Sequence, residues 1–420
     1  MGLKILHAIV TVDPSFGGPI EGVRQLTAVN CRYGHRVELL TLDAPDAPCV
    51  KNFTTVPVHA MGPAITRYGY SIKYVEWLRA NATNYDVVIV NGVWGFNAWG
   101  TWLALRKTGI PYAVFTHGML DPWFKHRYPL KHLKKWLYWP WGLYPVLRDA
   151  DAVFFTCERE RLLARESFWL YDCNEVVIRY GTSGIPNPEQ DYRSQFLADH
   201  PSLRDKRIIL FFGRVDSKKG PDLLVRAVAR LVKGGAWDSK VMRLVMAGPA
   251  DSVYAGMLRR LAKQEGIEDA VYWTGMLTGD QKWGVLQASD VFALPSHQEN
   301  FGIAVAEALS ANVPVLLAHG VNISPEIAVD GAGLVDEDTV AGTYRLIRKW
   351  LKLSAEERAE MRKQARRTFL ARYIAEAGGK DMLQSIYLML AARKISPARI
   401  RTAKPGIFSG NSGIFSRHSK

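Results

Sequence analysis

Leu294-Pro-Ser-His-Gln-Glu-Asn-Phe-Gly-Ile-Ala-Val-Ala-Glu-Ala-Leu309 follows a short buried run, Val291–Leu294, and opens a stretch of small and apolar residues. A strand, a polar loop with glycine, and then a buried helix make the basic unit of a parallel α/β sheet. Its two carboxylates, Glu299 and Glu307, are eight positions apart. On one helix that spacing spans about 12 Å, against roughly 5 Å for the paired carboxylates of a retaining glycosidase. The separation suits the two ends of one extended ligand. A helix beginning at Phe301-Gly302 would aim backbone N–H groups at an anion between them. Glu299 reads equally well as a solvated acid at a helix start. Glu307 sits among Ala304, Val305, Ala306, Ala308 and Leu309, so a buried carboxylate in need of a partner is expected there rather than a surface one.

The same unit recurs upstream in Phe211-Phe-Gly-Arg-Val-Asp-Ser-Lys-Lys-Gly220, before a helix at Pro221–Leu231. Arg214 offers a planar fork for phosphate oxygens and Lys219 a compact charge, enough to hold a diphosphate without magnesium. A Lys-Lys pair alone is commonly a solvated loop; the Gly213-Arg214 step at a strand end makes that less apt here.

Outward from these loops the alternation covers the chain. Strands are expected at Lys4–Val10, Arg36–Thr41, Val87–Asn91, Tyr112–Thr116, Ala152–Thr156 and Glu175–Arg179. A second series is expected at Ile208–Gly213, Arg243–Ala247, Val271–Thr274, Val291–Leu294, Val313–Ala318 and Ala332–Val335. The Gly- and Pro-containing stretch from Gly181 to Glu189 separates the two series. At 420 residues the chain exceeds one hydrophobic core, so two domains are expected. The expected division is a first Rossmann-like domain at 1–185, a linker at 186–205 and a second such domain at 206–368. Closing helices follow at 369–393, with a crossing back to the first domain as one arrangement, and then a disordered basic tail at 394–420.

Three features of the first half bear on chemistry. Gly17-Gly18, after the first strand, allows close approach of backbone to a ligand, although such a pair alone is only a turn. Thr116-His-Gly-Met-Leu-Asp-Pro-Trp123 places His117 at a strand end, where a lone histidine is usually structural. From Trp123 to Arg148, Lys125, Arg127, Lys131, Lys134 and Lys135 mix with Trp136, Tyr138, Trp139, Trp141 and Tyr144. That mixture fits an anionic membrane surface, and equally a basic helix pair whose aromatics are core.

Glu299 and Glu307, the Gly213-Arg214…Lys219-Gly220 loop and Gly17-Gly18 together resemble the retaining glycosyltransferases of family 4, with similarity to about residue 390. The resemblance implies the α/β GT-B fold, two Rossmann-like domains facing each other across a cleft. It implies that Glu307 accepts hydrogen bonds from the donor ribose, that Glu299 faces the donor hexose, and that Arg214 and Lys219 hold the diphosphate. Gly17, Gly18, Gly213, Asn300, Phe301 and Gly302 complete the implied donor site, with His297 and Gln298 also near the sugar. His117 resembles a strand-end His-Gly of exopolysaccharide-type members, there to meet the transferred sugar or orient the acceptor. Two departures stand out: Arg179-Tyr-Gly-Thr182 replaces a Pro-Asn-Gly turn, and Glu299-Asn-Phe-Gly302 replaces Glu-Gly-Phe-Gly.

The expected function is retaining transfer of a hexose from a nucleoside diphosphate sugar to a hydroxyl of a glycan or lipid-linked acceptor, in surface polysaccharide biosynthesis. No cofactor and no catalytic metal are expected; Asp149-Ala-Asp151 and Asp336-Glu-Asp338 do not follow strands as a metal-binding Asp-x-Asp would. The alternatives are a sugar-nucleotide epimerase or phosphorylase of the same fold, or a non-catalytic basic protein binding membrane or nucleic acid. The formal charge of +14 favours anionic partners without choosing among them, and no nucleic-acid fold signature accompanies it. The four cysteines show no metal-binding spacing, and no apolar stretch approaches the roughly 20 residues that span a bilayer. A cytoplasmic location is therefore expected, with peripheral contact at the inner face of the membrane.

Overall fold

The computed structural model describes residues 2–66, 68–249 and 252–395. Two parallel sheets organise it. The first holds β1 (Lys4–Ile9), β2 (Arg36–Thr41), β3 (Val58–Ala60), β4 (Val87–Asn91), β5 (Tyr112–Phe115), β6 (Ala152–Phe155) and β7 (Glu175–Val177), in the order β3-β2-β1-β4-β5-β6-β7. The second holds β8 (Arg207–Phe212), β9 (Met242–Ala247), β10 (Val271–Gly275), β11 (Val291–Leu294), β12 (Val315–Ala318) and β13 (Gly333–Asp336), in the order β10-β9-β8-β11-β12-β13. Central strands such as β4, β5, β6 and β11 are buried at every residue, because helices cover both faces of a parallel sheet. In each sheet the order reverses beside the first strand, opening a crevice at the carboxyl ends where such sheets bind ligands.

Every expected strand is present, and β3 is additional: three half-buried residues at a sheet edge, too few for a periodic signal. Within the stretch read as a linker, Tyr192–Asp199 is helical. Asp191 caps it through Ser194 N, and buried Tyr192 and Phe196 pack so closely on the helix Gly279–Ala288 that a Cβ on Gly284 would lie 2.5 Å from Phe196.

The closing helices run Ala355–Arg372 and Ala375–Ile395. The second crosses back to the first domain. Its Gly379 leaves no room for a side chain against Val29 of the helix Gly18–Arg32, Arg179 pairs with Asp381 at 2.7 Å, and Arg393 pairs with buried Asp151 at 2.6 Å. The tail expected from 394 onward lies outside the described residues, apart from 394 and 395, which end this helix.

Candidate functional site

The chain leaves β8 through Gly213, at φ +142°, and makes a short turn over Ser217–Lys219 whose cap, Asp216, accepts from Lys218 N. Gly220 then takes a left-handed conformation, φ +65°, and a Cβ there would lie 2.3 Å from the Pro295 carbonyl. Only glycine lets this loop close on the one that follows β11. The second loop docks on the first: His297 N and Ser296 Oγ both donate to the Lys218 carbonyl.

The docking brings together the charges singled out in the sequence. Lys219 Nζ lies 3.0 Å from Glu299 Oε2, and Lys218 Nζ donates to Gln298 Oε1 at 3.0 Å. Burial works to raise the Glu299 carboxyl, but Lys219, Lys218 and Arg214 together hold it below its ordinary value. Burial also lowers Lys218. Arg214 stays half-exposed, 3.9 Å from Asp216, and its guanidinium lies 3.9 Å from where a Cβ on Gly17 would stand. The glycine loop of the first domain therefore faces the phosphate-binding candidate of the second. Asp43 steadies that loop by accepting from Thr11 Oγ1 and Val12 N.

Glu299 is not on the helix. It bridges Val321 in extended conformation, and the helix begins only at Ile303, behind a left-handed Gly302 at φ +78°. The helical spacing of the two carboxylates is thereby corrected: the backbone turns between them. Phe301 is buried, edge-on to Tyr180 and to Tyr373. Glu307, within the helix Ile303–Ser310, is buried as its apolar neighbours implied, and Lys282 Nζ is its partner at 2.8 Å. Burial raises its carboxyl, Lys282 opposes this, and the charge of Glu21 from the first domain adds to the rise. Lys282 also lies 4.3 Å over the Trp283 ring.

Across the cleft, His117 follows β5 with φ +48°, an unfavourable conformation for a residue with a side chain. Its ring stacks on Phe115 and its Nε2 meets Asn91 Oδ1 at 3.2 Å. Burial pushes the imidazole down to about 3, with buried His7 adding to the effect. Beneath it, Glu160 accepts from Thr116 Oγ1, Gly118 N, Thr156 N and Thr156 Oγ1 at 2.5 to 2.7 Å. Asn300 reaches this hub from the second domain, donating to Thr156 Oγ1 at 2.9 Å and Glu160 Oε2 at 3.2 Å. Its amide, expected at the donor, here straps the two domains together. Gln298 does likewise by donating to Asp121 Oδ2 at 3.1 Å, while His297 pairs with Asp338 at 2.6 Å.

The Asp-x-Asp pairs are held by structure. Asp149 accepts from Trp102 Nε1, Asp151 binds Arg393, and Asp336 binds Arg345. Among the described residues no three His, Cys, Asp or Glu side chains gather as a metal-ligand set.

The basic aromatic segment divides. Trp139, Leu143, Val146 and Leu147 are core, with Trp139 stacked on Phe168. Leu130, Leu133, Leu137 and Trp141 are 78%, 53%, 59% and 65% exposed, and with Trp136 they leave apolar surface uncovered on the helix Pro129–Tyr138 and the turn after it. Lys135 is not part of the open face; it lies 4.2 Å over the Trp94 ring, and burial lowers it to about 8. No helix among the described residues is long and apolar enough to cross a membrane.

Two family models match the chain: "Glycosyl transferases group 1" over residues 193–368, and "Glycosyl transferase 4-like domain" over 17–181. A D-inositol 3-phosphate glycosyltransferase of Kineococcus radiotolerans is 33% identical over 198 residues, 46% of this chain and 45% of that one. Its counterpart in Gordonia bronchialis is 28% identical over 54% of this chain and 50% of that one. The chain spans about half the length of the curated relatives it matches. Sucrose-phosphate synthase from Thermosynechococcus elongatus superposes with a TM-score of 0.75 at 22% identity, covering 93% of this chain and 100% of that one. Anabaena HepE in complex with UDP and glucose superposes at 0.73 and 16% identity, covering 92% and 100%. With both halves matched by glycosyltransferase models and both sheets superposed on such structures, the chain belongs to the group 1 glycosyltransferases and has their GT-B fold.

Proposed function

We propose that the chain is a retaining glycosyltransferase that moves a hexose from a nucleoside diphosphate sugar to a hydroxyl of a glycan or lipid-linked acceptor, in surface polysaccharide biosynthesis. One observation carries the reading: Arg214, Lys218 and Lys219 gather at the end of β8, opposite Gly17, with Glu307 on the adjoining helix. Cations beside the free N–H groups of a helix start suit a diphosphate, and a carboxylate set apart from them suits vicinal hydroxyls such as a ribose offers. In this reading Arg214, Lys219 and the helix start behind Phe301-Gly302 stabilise the departing diphosphate, with no cofactor or metal. Catalysis comes from positioning and preorganised charge. HepE, of the same fold, is known in complex with UDP-glucose, which makes UDP-sugars the first donors to try.

Slow hydrolysis of UDP-, GDP- and ADP-sugars tests the reading without the acceptor. One donor should release its nucleotide and a sugar whose anomeric configuration, followed by NMR, is retained at first. Inversion would overturn the retaining assignment, and neither hydrolysis nor nucleotide binding across the panel would overturn the function.

The acceptor is proposed to be met at the membrane, because the open apolar face at Leu130, Leu133, Leu137 and Trp141 lies among exposed Lys131 and Lys134. Lys131→Glu with Lys134→Glu should abolish co-sedimentation with anionic vesicles at low salt and leave donor hydrolysis intact, each lysine being worth about 1 kcal/mol there. A wild-type protein that ignores such vesicles removes this part of the proposal.

A further inference from the structure

Two buried side chains from neighbouring strands of the first sheet, His7 and Asn91, lead to the half-buried His117, which follows β5 at the cleft. His7, on β1, is fully buried, and burial pushes its imidazole down to about 4, so it is neutral near neutral pH. Asn91, the last residue of β4, presents Nδ2 at 3.2 Å to His7 Nδ1 and at 3.2 Å to the Ile89 carbonyl. A carbonyl oxygen only accepts, so the Ile89 contact fixes which end of the amide is NH2.

The assignment propagates outward. Asn91 Oδ1 is then the atom 3.2 Å from His117 Nε2, and an amide oxygen also only accepts. His117 must carry its proton on Nε2. Its ring is neutral, and Nδ1 keeps a lone pair that no donor reaches among the described residues. Inward, His7 accepts at Nδ1 and holds its own proton on Nε2, a buried atom without a partner among the described residues. An orphaned buried N–H is a cost that an apolar residue would avoid, so this histidine calls for a reason beyond packing. The His117 ring in turn stands edge-on to Tyr180, and Tyr180 edge-on to Phe301, while Gly118 lies against Asn300. The ring thus borders the segment assigned above to the donor.

We propose that His7 and Asn91 are positioning residues that lock His117 in its Nε2–H tautomer, so that the Nδ1 lone pair accepts a hydrogen bond from a hydroxyl of the donor's sugar. This inference rests on the donor site proposed above. Asn91 supplies the oxygen that selects the tautomer, and His7, by accepting from the amide, keeps Asn91 from turning over. No proton leaves the chain in this role; His117 acts as an acceptor whose state is set from behind.

The ring nitrogens of the full-length protein, labelled with 15N at histidine, give the test. In the wild type His117 should show a protonated Nε2 and an unprotonated Nδ1. Asn91→Leu should mix the tautomers and lower kcat for donor hydrolysis about tenfold, with affinity for the nucleoside diphosphate unchanged. Asn91→Asp keeps an acceptor toward Nε2 and should restore the tautomer and more of kcat than Asn91→Leu retains, separating tautomer control from lost packing. A wild-type His117 protonated on Nδ1 overturns the proposal, as does Asn91→Leu with mixed tautomers and full kcat. If the wild type hydrolyses no donor, the glycosyltransferase reading fails while the spectrum still decides the tautomer.

Discussion

Glu307 is buried and Glu299 only partly so, and each reaches one lysine, at 2.8 and 3.0 Å, yet their carboxyls move in opposite directions. Around Glu299 stand Lys219, Lys218 and Arg214, three cations that outweigh its desolvation. Glu307 has Lys282 alone, and Glu21 across the cleft works against it. Positive charge is thus in surplus at one end of the site and short at the other. In the proposed function an anion would complete the first end, and neutral hydroxyls, which donate to a carboxylate without bringing charge, would complete the second.

The hardest blow to this contrast is Lys282→Ala. Removing one partner of a buried pair strands the other, and about 3 kcal/mol of unfolding free energy should be lost, as read from denaturant curves. Lys282→Ala combined with Glu307→Gln should recover a large part of it. A single variant as stable as the wild type would mean that Glu307 does not depend on its lysine.

Glu307→Ala should next weaken donor binding by about 1.5–3 kcal/mol, the range for hydrogen bonds to a charged group. Calorimetry with the donor's nucleotide checks this, and unchanged affinity in a folded variant removes the ribose assignment.

The opposite shifts also predict opposite pH dependences. The Glu299 carboxyl is lowered, so its stabilisation is present above the ordinary value of 4.5 and lost as pH falls through the folded value. That of Glu307 is raised, so its contribution is full below 4.5 and lost as pH rises through the folded value. Melting temperatures across the acidic range should therefore show Glu299→Gln gaining on the wild type as pH falls, and Glu307→Gln gaining as pH rises. Parallel profiles would erase the contrast. The smallest expected effect is none: in the proposed function the cations at β8 supply the charge a metal would, so donor hydrolysis should survive EDTA. Activity lost on chelation and restored by magnesium or manganese would show that they do not.

Legibility followed the range of the interactions. The strands and the two loops proposed to hold the donor were readable because each is written in a contiguous run: an apolar strand, then glycine and charge, then a periodic helix. The short edge strand Val58–Ala60 was not, since three half-buried residues carry no period. Tyr192 and Phe196, inside the expected linker, carry no helical signal of their own, because one apolar pair looks like a helix only when there is something to pack against. The basic aromatic segment left core and open surface evenly balanced, and the structure gave some of its aromatics to each.

The sequence by itself determined that two parallel α/β sheets form, that glycines and cations end β8, and that a carboxylate lies buried at 307. Local backbone preference and hydrophobic periodicity suffice for these. Only the tertiary structure decided that Lys282 neutralises Glu307, that Asn300 is spent on Glu160 and Thr156, and that Asn91 faces both His7 and His117. A buried polar group demands a partner, but any suitable atom of the chain meets the demand, and packing alone determines which one comes within hydrogen-bond reach.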